Sequence, residues 1–372
     1  MDRRSFFKSS AVGIVAGGIS GGYSARADDK PGQGAMEIKI QRLNLRHTWT
    51  ISRNSSDFKD NVFVRITRDG VTGWGEAAPN VRYGEDAQKT VSRLETARSS
   101  FEAADWFHYA DIKARLDELI TDQSCAKAAL DIALLDWVAK KFNQPLFRVF
   151  GLDPDKTPIT TFSIGIDTPD VVKQKVKEAA DFPVLKIKVG LKNDQEMLDA
   201  VRSVTKKPLR VDANEGWKTK EEALEKIKWL EGLGVEVIEQ PLPSTMLEET
   251  RWLRERVNIP ILADESVKTA RDIPALAEAF DGINVKLMKS GGVQEALTMI
   301  KMARALGMKI MLGCMIESSV AIAAAAQISP LVDYADLDGN LLISNDPFKG
   351  PTVEKGKLVL PKGPGLGVEP FG

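Results

Sequence analysis

Histidine is nearly missing from this 372-residue chain: only His47 and His108 occur. A histidine-rich zinc site is thereby excluded, and so is a pair of histidine acid/base groups in the C-terminal half. Cysteine is equally scarce. Cys125 and Cys314 cannot build a disulfide framework, and neither belongs to a CxxC pair. Charge of one sign is not in excess, since 51 basic residues face 52 acidic ones for a net charge of −1. That balance gives no reason to expect nucleic acid or a membrane surface as partner. No GxGxxG follows the first strand of the C-terminal half, so the dinucleotide fingerprint is absent as well.

The chain opens MDRRSFFKSS, continues through a short, glycine-broken apolar run and reaches Ala25-Arg26-Ala27. Paired arginines, Phe6-Phe7-Lys8 and an A-x-A site resemble a twin-arginine export signal over residues 1–27. Cleavage after Ala27 would leave a periplasmic enzyme with no stable membrane association. An uncleaved anchor is the alternative, and the brevity of the apolar run argues against it. Residues 28–35 read as a linker.

Residues 36–151 begin with alternating strands, MEIKIQRLNL, NVFVRITRDG and VTGWGEAAP, and continue with helical patterns such as CAKAALDIALLDWVAKKF. This is the texture of an α+β capping domain. Over residues 152–345 the rhythm changes. Short apolar strands recur with amphipathic helical patterns between most of them: PITTFSIG, VLKIKVG, LRVDAN, VEVIEQP, IPILADES, GINVKLMKSG, KIMLGCMIES and YADLDGN. Eight such units predict a closed (β/α)₈ barrel of the TIM type, an α/β fold, rather than an open doubly wound sheet. Residues 346–372 have strand and turn character and are expected to return toward the capping domain.

In such a barrel the functional groups stand at the C-terminal ends of the strands. Strand two ends with Lys186 and Lys188, strand three with Asp212, strand four with Glu239, strand five with Asp264 and Glu265, and strand six with Lys286. Asp212, Glu239 and Asp264 on consecutive strands would repel one another in a poorly solvated mouth unless a cation joined them. Hard oxygen donors select Mg²⁺, with Mn²⁺ as the second candidate. Strands two and six are diametrically opposed in an eight-strand barrel, so Lys188 and Lys286 would flank a ligand from opposite faces. Two bases on opposite faces of one carbon suit proton removal on one side and return on the other. A lysine base needs its pKa brought from about 10.4 to about 7–8, a change of about 4 kcal/mol. Repulsion from Lys186 is expected to supply part of it. A barrel-mouth salt-bridge network and a Schiff-base lysine are the alternatives.

The order KxK, Asp in VDAN, Glu in IEQP, Asp in LADES and Lys in NVKLMKSGG resembles the muconate-lactonizing branch of the enolase superfamily. The similarity runs over essentially the whole mature chain, including the closing PGLGVE. The histidine that the mandelate-racemase-like branch carries on strand seven is missing from KIMLGCMIES. Within the branch, Asp336-Leu337-Asp338 on strand eight calls for a cation, and an α-ammonium group fits. This DxD resembles the dipeptide-epimerase signature, and the resemblance implies that Asp336 and Asp338 hold the amino terminus of a small-molecule dipeptide. The first capping loop, LRHTWTISRNSSDFKDN, is expected to close over the mouth. There Arg53 falls where L-Ala-D/L-Glu epimerases carry an arginine for the substrate's side-chain carboxylate. Met315 and Ile316 are expected to line the pocket, and Glu265 to support the site from behind. A murein-derived Ala-Glu dipeptide would suit an exported enzyme. An o-succinylbenzoate synthase or cycloisomerase of the same fold, and a non-catalytic dipeptide-binding barrel, stay open as alternatives, as does assembly into a homo-oligomer.

Overall fold

In the computed structural model, which describes residues 32 and 34–371, the alternating apolar residues of the first segments build an antiparallel sheet. Its strands are β1 (Ala35–Thr50), β2 (Ser55–Arg68) and β3 (Val71–Ala77), paired in that order. Asp69 and Gly70 both take positive φ, 49° and 70°, and close the tight turn that RDG announces. The export signal expected over residues 1–27 lies outside the described residues. Among the described residues no helix is long and apolar enough to cross a membrane.

The stretch Leu45–Asn61, expected as a loop, is mostly a β-hairpin. Pairing runs through Arg42↔Asp60, Leu43↔Lys59 and Asn44↔Phe58, breaks, and resumes at Trp49↔Ser56 and Thr50↔Ser55. Threonine, tryptophan and phenylalanine favour extended backbone here, so only residues 51–54 make the turn. The break in register lets the tip bend, and Arg53 rides on that tip.

Three helices follow, α1 (Ala87–Ala103), α2 (Tyr109–Leu119) and α3 (Ser124–Lys141). Helix α3 is apolar around most of its circumference because it packs on β3 on one side and on the barrel on the other. It lies so close to the sheet that a Cβ on Gly75 would overlap the Ala129 carbonyl. A single turn, α4 (Leu146–Val149), leads into the barrel.

The barrel strands are β4 (Phe162–Ile164), β5 (Leu185–Lys188), β6 (Leu209–Asp212), β7 (Val235–Glu239), β8 (Ile261–Ala263), β9 (Gly282–Lys286), β10 (Lys309–Gly313) and β11 (Tyr334–Asp336). Each pairs in parallel with its sequence neighbours. The circle closes where Thr160, just before β4, bridges Ala335 in β11. Helices α5 (Pro169–Glu178), α6 (Asp194–Val204), α7 (Lys220–Glu231), α8 (Leu247–Arg254), α9 (Ile273–Leu276), α10 (Leu287–Ser290), α11 (Val293–Ala305) and α12 (Ser319–Ile328) occupy the connections. After the barrel, Phe348 stacks on Phe63 and meets Trp74 edge-on, and the Leu366 amide donates to Asp136 Oδ1 at 2.8 Å.

Two buried carboxylates of the capping domain bind the exposed amides at the starts of barrel helices. Asp131 accepts from Val293 N at 2.6 Å and Gln294 N at 3.2 Å at the head of α11. Glu76 accepts from Ser318 N, Ser318 Oγ and Ala321 N at the head of α12, and from Asn61 Nδ2 at 2.8 Å. Each helix start offers unpaired N–H groups and the positive end of its dipole, so a carboxylate is the natural partner. Asn61 also donates to the Ile316 carbonyl at 3.1 Å, which ties the segment after β10 to the capping sheet. Glu76→Ala would leave these buried donors unpaired. The expected loss of stability is about 3 kcal/mol, read as a lowered midpoint of urea unfolding at unchanged slope.

Candidate active site

The parallel register sets the height of each functional side chain. Lys188 stands opposite Asp212, and Asp212 opposite Glu239. Asp264 follows one residue after β8 ends at Ala263. Across the barrel, Lys286 and Asp336 both stand opposite Gly313, where a Cβ would run into the Asn284 side chain. The strand ends therefore carry acids and lysines around most of the mouth, and all of these polar side chains are buried.

Ion pairs compensate the burial. Lys188 Nζ donates to Asp212 Oδ2 at 2.5 Å, and Lys286 Nζ to Asp264 Oδ2 at 2.7 Å. Lys289, on α10, donates to Asp264 as well. Asn284 Nδ2 donates to Glu239 Oε1 at 2.8 Å, and the Gln240 amide oxygen takes the Asp264 backbone N–H at 2.9 Å. Burial would push the Asp212 carboxyl up, but Lys188 and Lys186 outweigh it and hold it below the usual range. Burial likewise works against Asp264, and Lys286 and Lys289 hold it well below that range. Burial and the Asp212 charge push Glu239 the other way, up to about 8. Such opposed shifts follow from several charges buried close together.

Three of the expected residues meet further partners in the structure. Lys186 is surrounded by acids. Its ammonium lies 2.6 Å from Asp336, 2.8 Å from Glu239 and 3.2 Å from Asp212, because β5 places it on the axial side where the acids of β6, β7 and β11 converge. Burial opposes its charge, but Asp336 and Glu239 outweigh that and raise it well above the ordinary lysine value. Asp336 therefore already has its cation, and accepts from Thr161 Oγ1 too. Of the DxD pair, Asp338 is the acid left without one. It accepts from Ser163 N at 2.6 Å, and burial and the Asp336 charge push it up to about 7. Arg53 reaches the mouth but is bound there by the barrel itself. Its Nη1 lies 2.7 Å from Glu265 Oε1, 3.3 Å from Glu215 Oε2 and 2.7 Å from the Asn214 carbonyl.

Glu265 stands behind this contact, also accepting from Asn214 Nδ2 at 3.2 Å. A cavity of about 360 Å³ gathers the groups: Lys186, Lys188, Asp264, Glu265, Lys286, Asp336, Asp338, Met315, Ile316 and Arg53 all line it. The capping domain supplies Trp49, Lys59, Asn61, Arg82 and Tyr83 to the same wall, none of them singled out from the sequence. Lys59 and Asn61 were within reach of the strand alternation. They share a face with Phe63, four and two residues on, and that face turns inward.

The acid triad fits a divalent cation. One oxygen each from Asp212, Glu239 and Asp264 can be chosen so that all lie within 4.8 Å of one another, in buried surroundings. Oxygen donors without histidine or thiolate belong to Mg²⁺ or Mn²⁺ rather than zinc.

A closed barrel, a capping α+β domain and three acids set between lysines define a class of enzyme that comparison with known proteins identifies. Residues 35–151 match the mandelate racemase / muconate lactonizing enzyme N-terminal domain, and residues 170–371 the enolase C-terminal domain-like family. The chain belongs to the enolase superfamily. It is 44% identical over 379 residues to the L-Ala-D/L-Glu epimerase of Bacteroides thetaiotaomicron, covering 99% of each chain. A crystal structure of a dipeptide epimerase from Cytophaga hutchinsonii, complexed with Mg and D-Ala-L-Val, superposes with TM-score 0.87 at 28% identity, covering 92% of this chain and 96% of that one. The substrate-liganded L-Ala-D/L-Glu epimerase of Bacillus subtilis gives 0.83 at 31% identity, covering 90% and 98%. Within the superfamily the chain groups with the dipeptide epimerases, and it is an isomerase.

Removing one metal ligand should be visible without any turnover. Glu239→Gln is expected to weaken Mg²⁺ binding at least about tenfold in isothermal titration calorimetry, with the circular-dichroism spectrum unchanged.

Proposed function

We propose that this enzyme epimerises a dipeptide at the α-carbon of its C-terminal residue by two-lysine proton transfer with Mg²⁺, and that L-Ala-D/L-Glu from murein peptide is its substrate. The observation that carries the mechanism is the placement of Lys188 and Lys286 on opposed strands of one cavity, on either side of the acid triad. The first-named relative, at 44% identity, supports the substrate.

Asp212, Glu239 and Asp264 would hold the cation. When bound, it would supply positive charge that stabilises the substrate carboxylate as negative charge develops on it. One lysine, neutral, takes the α-proton from its face. The other, protonated, returns a proton to the opposite face, so the configuration inverts and the two lysines exchange roles for the reverse reaction. Asp338 receives the substrate ammonium, which relieves the repulsion from Asp336 that its own burial aggravates. Lys186 stays with Asp336, Glu239 and Asp212 and holds together the acids of three strands. The capping hairpin and the Val81–Tyr83 turn exclude water from above. Both are fastened to Glu215, Arg53 at 3.3 Å and Arg82 in a two-point contact at 2.9 and 3.0 Å. The twin-arginine pattern supports a periplasmic location, where murein fragments arise.

Mass spectrometry in D₂O tests the two-face mechanism. Lys286→Ala should still exchange the α-proton of one epimer while no longer converting it, and Lys188→Ala that of the other. Loss of exchange with both epimers in either variant, at unchanged Mg²⁺ affinity, would count against separate one-face roles. Asp338→Asn should lower kcat/KM for the dipeptide at least about 30-fold. A synthase or cycloisomerase, whose substrate has no ammonium, would lose little by that change.

A further inference from the structure

Six lysines and arginines line the catalytic cavity: Arg53, Lys59, Arg82, Lys186, Lys188 and Lys286. Five of them are committed to carboxylates of the barrel. Lys186, Lys188 and Lys286 bind the acids at the strand ends, Arg82 binds Glu215, and Arg53 binds Glu265 and Glu215. The Lys59 ammonium makes no hydrogen bond or ion pair with any described residue. Burial is the only influence on it and lowers its pKa from the ordinary lysine value, with no acid acting in the other direction. A partly buried ammonium without a counter-ion is unfavourable, and such groups gather where a ligand completes them.

The position is built, not incidental. Lys59 lies in the β1–β2 ladder opposite Leu43, which is fully buried, so the two share the inward face of the hairpin. Two residues on, Asn61 holds the Ile316 carbonyl on the same cavity wall. The backbone on both sides of Lys59 is thus fixed, and its side chain crosses the wall from a rigid strand. Arg53, by contrast, sits on the hairpin tip between two carboxylates. That guanidinium already has two carboxylates and a backbone carbonyl as partners, so its charge is already compensated. The epimerases named above include one complexed with an apolar C-terminal residue and others named for glutamate, so the side-chain subsite must be set by the residues around it.

We propose that Lys59 is the specificity-determining cation of this site, receiving the side-chain carboxylate of an acidic residue at the C-terminal position of the dipeptide, and that Arg53 is a positioning residue that fastens the hairpin to Glu265, Glu215 and the Asn214 carbonyl. The proposal rests on the epimerase reading above. It specifies which group selects the substrate.

The test compares L-Ala-L-Glu with L-Ala-L-Gln on the Mg²⁺-loaded enzyme, following deuterium incorporation. The wild type should incorporate deuterium into both and favour the acidic dipeptide. Lys59→Gln should lower the Glu-over-Gln ratio of kcat/KM about 100-fold, chiefly through KM for the acidic dipeptide, and Lys59→Arg should restore most of it. Lys59→Glu should turn the preference toward L-Ala-L-Lys. Arg53→Gln should lower kcat/KM for both dipeptides alike and leave the ratio within about threefold. The proposal is overturned if Lys59→Gln leaves the ratio unchanged, or if Arg53→Gln alone abolishes it. A wild type that incorporates deuterium into no dipeptide would overturn the epimerase reading and this proposal with it. Epimerisation of apolar dipeptides in preference to acidic ones would overturn this proposal alone.

Discussion

The structure depends on keeping several carboxylates apart from water and close to one another. Asp212, Glu239, Asp264 and Asp336 are all buried at the barrel mouth, where their mutual repulsion is screened little. Lys186, Lys188, Lys286 and Lys289 hold them there. The barrel makes this feasible because its parallel register delivers acids and lysines to one level from different strands, and Gly313 leaves room for the Asn284 side chain that donates to Glu239. Burial and neighbouring acids push Glu239 up to about 8 and Asp338 up to about 7. One lies in the triad and the other beyond Asp336, and these are the places where a metal ion and an ammonium group would complete the site.

The capping domain is more than a cover. Its Asp131 and Glu76 bind the starts of α11 and α12, the helices that follow the strands carrying Lys286 and Gly313. Its hairpin and its Val81–Tyr83 turn meet on Glu215, a residue held at a φ of 63° just beyond β6. The strand-end acids and lysines of the cavity come from the barrel, while Trp49, Arg53, Lys59 and Asn61 of the capping hairpin and Arg82 and Tyr83 form its facing wall. The two parts are joined by a few buried charge contacts.

Much of this was legible in the sequence because it rests on local rules. Eight apolar runs with helical patterns between them announced the barrel, and the strand ends announced the acids and lysines. Helix and strand periods of 3.6 and 2 depend on neighbours in the chain, so they survive without knowledge of the fold. The hairpin over Leu45–Asn61 was not legible as such. Its polar composition and charges resemble those of a loop, and the pairing that extends it, Trp49 with Ser56 and Thr50 with Ser55, follows a break in register that no local pattern encodes.

The sequence by itself determined the fold class, the order of the functional groups along the chain and the oxygen-only character of the triad, because each follows from residue type and spacing. Only the tertiary structure decided which charge meets which. Lys186 is a counter-ion to three acids, Asp336 is satisfied while Asp338 is not, Arg53 is bound to Glu265, and Lys59 stands without an acid partner among the described residues. Electrostatic partnership falls off with distance through space, and the partners in this site lie as much as 212 residues apart in the chain, as Arg53 and Glu265 do at 2.7 Å.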